Sequence, residues 1–227
     1  MPSLEQFQHI QAMIEENHQI LVKDHDVKEN TQKLNLNISY PNKRKLLQSA
    51  LEERTATRFY NLKPIELSHL LTILGTVKQL DLENWSTPNQ LGVNIDISII
   101  IRNVTDVHSP AIYDYDVVSD TLLPVYEIPE DEDKDAWYLQ KEFTNSPAVI
   151  IVHGTLENAL KQFGEHGYRH LLTRGGVAVQ NAWLSALTLG YSGSIFAGTL
   201  PKPLKKFTNI DGYKKVQLCA FSFGSNV

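Results

Sequence analysis

Two arginines with hydroxyl groups between them form the first cluster in the chain that could do chemistry. The segment reads Arg54-Thr55-Ala56-Thr57-Arg58 and follows a helical pattern. Arginine donates two parallel hydrogen bonds to phosphate oxygens and threonine adds a neutral donor, so the spacing suits a phosphate group. It also suits a solvated helix end, where the helix dipole favours basic side chains. Spacing alone favours the solvated helix end.

A second cluster runs from Gly164 to His170 and continues into Gly175-Gly176 and Gln180-Asn181. Glycine inside a helix costs about 1 kcal/mol relative to alanine, so the pair indicates that something flat approaches the backbone closely. Amide side chains in a mainly apolar helix need hydrogen-bond partners once buried. A ligand and close helix packing with an internal hydrogen bond explain these residues equally well.

The third cluster is the glycine-rich stretch Gly190 to Gly198, whose small residues could expose backbone N–H groups to a ligand.

Several common enzyme signatures are missing from the sequence, namely the phosphate-binding GxxxxGK[ST] loop, the dinucleotide GxGxxG pattern and the GxSxG nucleophile turn. Cys219 lies in an apolar stretch and is expected to be inert. The acidic run 129–135 is expected to be a solvated loop, and no metal site is predicted.

Hydrophobic periodicity predicts the elements that must position these clusters. Apolar residues cover more than one face of the pattern at 167–190, which predicts a central, buried helix. Helices and strands mix without a strict βαβ rhythm, so we predict the α+β class. The predicted elements are an N-terminal helix ending near Lys23, a connector over 24–40, helices beginning at Pro41 and Pro64, strands at 95–104, 111–115 and 122–126, a helix at 134–143, a strand at 147–153, the long helix at 167–190, a short strand or extended turn at 192–198, a basic helix opened by Pro201 and a closing strand at 215–223.

Composition restricts the class of partner. The net charge of −5 argues against a non-specific nucleic-acid binder, which is usually basic. A single cysteine cannot form an internal disulfide, and the polar N-terminus lacks the pattern of a signal peptide. No apolar run reaches the length of a membrane span. We therefore predict a cytoplasmic protein without nucleic-acid or membrane partners.

Taken together, the three clusters resemble the nitroreductase superfamily and, within it, the SagB-type dehydrogenases, flavin enzymes that oxidise thiazolines and oxazolines in peptides. The resemblance covers about Leu46 to Phe223, which we take as one FMN-binding domain (46–227) after a helical extension (1–45). RTATR stands where the family has an RRSxR-like phosphate grip. The block that begins GYRHLLTRGGVAVQN is the most specific, because Gly-Tyr-Arg, Gln-Asn and Leu-Gly fall in the family's register without a gap.

The resemblance implies a nitroreductase-like fold, with a mostly antiparallel sheet flanked by helices, and an FMN at a homodimer interface. It implies hydride transfer near Ala197 and Gly198, a peptide or small-molecule substrate, and partner enzymes of a biosynthetic complex. The implied FMN-binding residues are Arg54, Thr55, Ala56 and Arg58 at the phosphate and ribityl chain, Pro88, Asn89 and Gln90 near the ring, Gln180, and Ala197 and Gly198 at the N5 edge.

The chain departs from the family pattern at its acid–base residues. Gln162 and Phe163 stand where azoline oxidases carry a Lys-Tyr pair, and neither can serve as a base or relay a proton. Arg174 and Val177 replace a Glu and a His, and TPNQ replaces a PSAG-like turn. Tyr168 and His170 are the substitute catalytic candidates, but helical geometry sets them some 200° apart, so at most one can face the flavin.

Three functions fit these observations. The first is an FMN oxidoreductase that tailors a ribosomal peptide or a related natural product. The second is an NAD(P)H-dependent reductase of nitro or quinone compounds, which needs little acid–base help. The third is a non-catalytic subunit that keeps the fold within a biosynthetic complex. We favour the first, and the flavin content of the purified protein separates the third from the other two.

Overall fold

A six-stranded antiparallel sheet forms the centre of the protein, in the computed structural model that describes residues 47–227. Its order is β3-β2-β1-β4-β6-β5. The N-terminal helix, the connector, the helix start at Pro41 and the proposed extension 1–45 lie outside the described residues. The strands are β1 (Ile95–Ile101), β2 (Ala111–Asp116), β3 (Thr121–Glu127), β4 (Ala148–Thr155), β5 (Ser192–Phe196) and β6 (Lys215–Gly224).

Strands β1 and β4 form the buried centre of the sheet because they are runs of β-branched residues. Their register places Ile99 opposite Ile150, so the apolar side chains of neighbouring strands meet on the same face. Strand β6 joins β4 to the edge strand β5. This edge carries the third sequence cluster.

Most helices cover one face of the sheet, and the last one, which carries Leu204, packs on the other face. The helices are α1 (Leu47–Glu53), α2 (Leu67–Asn84), α3 (Ser86–Gln90), α4 (Leu156–Phe163), α5 (His166–Thr188) and α6 (Pro201–Phe207). The larger apolar core lies between the sheet and helices α2 and α5, and includes Leu74, Ile97 and Val179. A smaller core on the opposite face gathers Trp137 and Phe143 around Ile151. The α+β class is therefore confirmed.

Two predicted elements have different bounds or form, and one helix was not predicted. The helix after Pro64 begins only at Leu67, because the backbone of Ile65 bonds to Asn103 and Thr105. The predicted helix at 134–143 is instead two 3-10 turns, Lys134–Trp137 and Lys141–Asn145, separated by extended backbone at Tyr138. Helix α4 was not predicted, since its eight residues are too short to show a clear period.

Helix α5 is less buried within the chain than its composition predicts. One side packs on the sheet and on α2 through residues such as Leu171 and Val179. Three apolar side chains, Tyr168, Leu172 and Val177, remain exposed by 45%, 36% and 39%. The expectation of a central, buried helix is thus met only in part within the single chain, because ten of its residues are buried and these three are exposed. Among residues 47–227, no helix is long and apolar enough to cross a membrane.

Candidate cofactor site

The Arg54–Arg58 segment is extended backbone pinned to the edge of the sheet. Helix α1 ends at Glu53, and Ala56 then pairs with Gly193 of β5 in a parallel bridge. The Thr57 N–H donates to the Gly193 carbonyl over 2.9 Å, and the Tyr60 hydroxyl donates to the Thr57 carbonyl over 2.8 Å. The first cluster is therefore not part of a helix end, and its position is fixed by the sheet.

The polar side chains of this segment face solvent. Arg54, Thr55 and Arg58 are exposed, and neither arginine forms an ion pair with a carboxylate within residues 47–227. The Arg54 guanidinium lies 4.7 Å from the ring centroid of Trp183 on α5, which orients it without neutralising it. Two unneutralised guanidinium groups beside a hydroxyl form the donor set that a phosphate monoester requires.

The tyrosine that anchors the segment, Tyr60, is partly buried. Desolvation raises the pKa of Tyr60 to about 12, although its hydrogen bond to Ser222 and the charge of Arg58 act in the opposite direction. The hydroxyl therefore stays protonated at any physiological pH and keeps donating to the Thr57 carbonyl. Tyr60 thus ties the backbone of the segment that carries the phosphate-type donors.

The turn that follows β5 lies farther along the same edge. Ala197 is exposed, and Gly198 has a φ of 126°, a conformation that glycine adopts readily. Ala197 is four residues beyond Gly193, so the turn lies about 13 Å along the strand from the Ala56 bridge. The structure therefore brings the first and third sequence clusters to one sheet edge.

Gln217 of β6 contacts this turn and was missed by sequence reasoning. Its side-chain Oε1 accepts hydrogen bonds from the Thr199 N–H and hydroxyl over 3.1 and 3.0 Å. The only signal in the sequence is weak: a polar residue inside the closing strand, where the apolar residues do not alternate perfectly.

The second cluster lies at the other end of α5. His170 stacks on Phe163 with ring centroids 4.8 Å apart and meets the edge of Trp85 at 5.2 Å. Burial lowers the pKa of His170 and the nearby charge of Arg174 lowers it further, so the ring is neutral at neutral pH. Its Nδ1 is buried without a hydrogen-bond partner among the described residues. Tyr168, by contrast, points into solvent.

The departure at position 174 has a structural explanation. Arg174 is fully buried and pairs with Asp81 of α2 over 2.8 Å. It also donates to the Val93 carbonyl and, over 2.9 Å, to the side-chain oxygen of Asn89. The short helix α3 replaces the predicted turn at 87–90, and the Asn89 amide oxygen already has a protein partner. Pro88 is half-buried and Gln90 is exposed.

The two glycines of α5, Gly175 and Gly176, have different surroundings. The sequence left two explanations open for them, close helix packing and the approach of a ligand. A side chain on Gly175 would approach within 2.7 Å of Leu218, so this glycine serves close helix–sheet packing. Gly176 faces open space. Gln180 is half-buried. Gly176 and Gln180 thus remain available to a ligand or a second chain.

The candidate residues form two groups within one chain. Arg54–Arg58 and the 197–199 turn share the β5 edge, and Arg54 contacts Trp183 near the C-terminal end of α5. His170 lies thirteen residues earlier in that helix, which corresponds to about 20 Å along its axis. One chain therefore does not bring the phosphate-type donors and the acid–base candidates together.

The largest groove described between helix and sheet does not suit a phosphate, because its walls are acidic. A groove of about 460 Å³ between α2 and the β2–β3 hairpin has Glu83 and Asp120 in its wall and no cationic side chain. Among residues 47–227, no group of three or more His, Cys, Asp or Glu side chains is arranged to hold a metal ion. The β5 edge is therefore the candidate site that the structure supports best.

Comparison with known proteins agrees with the fold. Residues 51–225 match the sequence profile of the nitroreductase family. A candidate nitroreductase of Anabaena variabilis aligns with a TM-score of 0.64 at 20% identity, over 80% of this chain and 38% of its own length. This chain thus spans well under half of that protein. A search of curated sequences finds no relative.

Two further solved structures share the fold. The E. coli microcin synthetase McbBCD complex with truncated pro-MccB17 bound contains a chain that aligns with a TM-score of 0.59 at 17% identity, covering 91% of this chain and 79% of that one. A candidate nitroreductase of Desulfovibrio desulfuricans in complex with FMN aligns with a TM-score of 0.51 at 14% identity, covering 81% and 88%. At these identities the likeness shows the fold alone.

Proposed function

Because the chain belongs to the nitroreductase family, we propose that it is an FMN-dependent oxidoreductase whose cofactor lies along the β5 edge. The observation that carries the proposal is the extended Arg54–Arg58 segment. It places two exposed, unneutralised guanidinium groups beside β5, the strand that leads to the 197–199 turn. This donor set fits a phosphate monoester, and the chain has no dinucleotide-binding fingerprint, so we expect FMN rather than FAD.

The residues of this edge have distinct roles in the proposal. Arg54, Arg58 and the Thr55 hydroxyl hold the phosphate, Ala56 lies against the ribityl chain, and Ala197 and Gly198 lie at the ring edge. Bound FMN supplies the hydride chemistry itself, and the protein supplies orientation, access and electrostatics. The Arg54–Trp183 contact keeps that guanidinium in place before the cofactor arrives.

A homodimer would complete the site. The exposed apolar residues Tyr168 and Leu172 lie four residues apart on α5 and give a second copy a surface to cover, and Gly176, four residues further on, offers room for close approach. Since one chain keeps its two groups of candidate residues about 20 Å apart, the partner is the proposed source of the second group, with Gln180 and residues 88–90. Light scattering should therefore give twice the mass of one chain, and a monomer with full flavin occupancy would exclude this arrangement.

We propose that the substrate is a ribosomal peptide or a related natural product, modified in the cytoplasm together with partner enzymes. Support comes from the SagB-like motifs and from the fold shared with a chain of the microcin synthetase complex. The catalytic candidates are His170 and Tyr168. His170 is a weak base because its pKa is lowered, and Tyr168 is exposed where a substrate or a second chain could reach it.

A nitro or quinone reductase that uses NAD(P)H is the alternative. It is favoured by the ring stack of Phe163 on His170, which places no hydroxyl where azoline oxidases have one. Hydride transfer from a nicotinamide to the flavin requires no positioned base. Turnover of NAD(P)H with nitro compounds, without oxidation of any azoline peptide, would favour this alternative.

Flavin identity is the direct test of the proposal. The full chain, purified with excess FMN, is heated, and the released flavin is separated by chromatography. We expect FMN at one per chain. Recovery of FAD would overturn the choice of cofactor, and recovery of no flavin would favour a non-catalytic subunit.

A further inference from the structure

The turn between β5 and α6 is held by a single side chain. The Gln217 Nε2 group donates to the Ala197 carbonyl over 3.3 Å and to the Thr199 carbonyl over 3.1 Å. Its Oε1 accepts from the Thr199 N–H and the Thr199 hydroxyl. One amide thus occupies polar groups on both sides of Gly198.

These four contacts fix the direction of the Gly198 backbone. A trans peptide points its carbonyl and its N–H in opposite directions, and no cis peptide bond occurs among the described residues. Because the Ala197 carbonyl points toward Gln217, the Gly198 N–H points away from it. Because the Thr199 N–H also points toward Gln217, the Gly198 carbonyl points away as well.

Glycine at 198 is part of the same arrangement. Its φ of 126° disfavours any other residue, and a Cβ at this position would collide with the Gln217 amide. The close contact between Gln217 and Gly198 therefore requires both residues. The result is a fixed donor and a fixed acceptor directed away from β6.

We propose that Gln217 is a positioning residue of the cofactor site, which aims the Gly198 backbone at the edge of the flavin ring. The proposal rests on the proposed FMN function and adds a residue to it. An N–H held at that edge favours the oxidised ring, whose edge nitrogen accepts a hydrogen bond, over the reduced ring, whose edge nitrogen donates one. Gln217 therefore influences both the affinity and the reduction potential without touching the substrate.

The test compares the full-length protein with Gln217→Glu, Gln217→Leu and Thr199→Val. Glu keeps the size and the acceptor but cannot donate to the two carbonyls, and Leu keeps only the volume. Thr199→Val removes one contact.

We expect FMN to bind about tenfold more weakly in both Gln217 variants, because the loss of one hydrogen bond corresponds to up to a tenfold change in affinity. The loss of affinity should be smaller in Thr199→Val. The reduction potential of the bound flavin should rise by about 30 mV for each tenfold loss of affinity for oxidised FMN relative to reduced FMN.

Two controls separate positioning from general damage. Gln79→Glu makes the same chemical change on the exposed face of α2 and should leave FMN binding unchanged. In the flavin-free protein, amide exchange at Thr199 should be slow in the wild type and fast in Gln217→Leu, since that N–H loses its acceptor. If Gln217→Leu fails to fold, Gln217→Glu and Thr199→Val still decide the question.

The outcomes distinguish the two levels of the proposal. Wild-type protein that takes up no FMN overturns the proposed function and this inference with it. Wild-type protein that binds FMN, with folded Gln217 variants of equal affinity and potential, overturns the role of Gln217 alone. Weakened binding with an unchanged potential also overturns it, because a purely structural contribution would give that result.

Discussion

Arg54 and Arg174 have opposite surroundings, although each lies beside an aromatic ring. Arg174 is fully buried, and its charge is compensated by Asp81, by the Val93 carbonyl and by Asn89. Arg54 is exposed, lies over Trp183 and has no carboxylate partner within the described residues. The comparison separates an arginine that stabilises the fold from one that is available to a ligand.

The same contrast holds for the regions around them. On the side of α2, α4 and α5, side chains contact one another: Arg174 pairs with Asp81, and Phe163 stacks on His170. On the β5 edge, a main-chain bridge and the Tyr60 hydroxyl hold the Arg54–Arg58 segment, and the side chains of Arg54 and Arg58 face solvent. The β5 edge is therefore the part of the chain where a ligand could bind, because its backbone is held and the Arg54 and Arg58 side chains have no carboxylate partner among the described residues.

The largest expected effect tests whether the α5 side can do acid–base chemistry. Changing Gln162→Lys together with Phe163→Tyr should restore azoline oxidation from a low wild-type level. A positioned base typically contributes 10²–10⁴-fold. Tyrosine keeps the stack on His170 and adds a hydroxyl. The measurement is oxidation of an azoline-containing peptide by the FMN-loaded protein.

Gln162→Met with Phe163→Tyr is the matched control and should give no comparable gain, since methionine has similar length and no charge. Robust oxidation by the wild type that His170→Ala abolishes would identify His170 as the base. Wild-type oxidation that survives both His170→Ala and Tyr168→Phe would defeat the assignment of both residues.

The second effect tests the structural arginine. Arg174→Met leaves the Asp81 carboxylate buried without its cation, which should lower the free energy of unfolding by about 3–5 kcal/mol. Urea unfolding of the flavin-free protein measures the change. The double variant Arg174→Met with Asp81→Leu should lose much less, because no unpaired charge remains. A loss below about 1 kcal/mol for the single change would contradict this account of the buried pair.

The third effect tests the ligand-binding arginine. Arg54→Ala should weaken FMN binding roughly 10- to 150-fold, since a charge-assisted contact contributes about 1.5–3 kcal/mol. Stability should fall by no more than about 1 kcal/mol, the contribution of an exposed cation–π contact. Flavin fluorescence and urea unfolding measure the two changes. The control is Lys63→Ala, which removes an exposed cation nine positions further along the chain. Unchanged FMN affinity in Arg54→Ala would indicate that the Arg54–Arg58 segment is merely solvated.

The smallest effect extends the comparison to a buried histidine on the opposite face of the sheet. His153 is 4% exposed and meets the Ser98 hydroxyl at 3.0 Å. Desolvation lowers its pKa from 6.5; Asp96 and Asp114 raise it, whereas Lys215 and Lys78 lower it. As the pH falls, His153 therefore takes up a proton near pH 6.5 in the unfolded chain, and only at a lower pH in the native protein.

The free energy of unfolding should therefore fall as the pH drops below about 6.5, by at most about 1.4 kcal/mol per pH unit for this residue. The fall from His153 ends once the pH passes its native pKa. Urea unfolding from pH 7.5 to 5 measures the slope. His153→Gln should remove this part of it, and an identical slope in that variant would exclude His153 as its source.

The sequence by itself determined the class of fold and the position of most elements. Strands β1 and β4 are unbroken runs of β-branched residues, and α5 has a long apolar pattern with glycines, so local pattern is sufficient there. Helix α4 and the broken segment around Tyr138 were missed, because they are short and their form depends on what they pack against. Residue identity also placed the Arg54–Arg58 cluster among the candidates, since its chemistry is readable without coordinates.

Only the tertiary structure decided which polar residues are free. Spacing could not show that Arg174 is neutralised by Asp81, 93 positions away, or that Ala56 pairs with Gly193. Nor could it show that Gln217 holds the turn at Gly198. These contacts join residues far apart in sequence, so a local pattern does not reveal them. Burial decides the role of a charged side chain, because an unpaired charge is costly only where water is excluded.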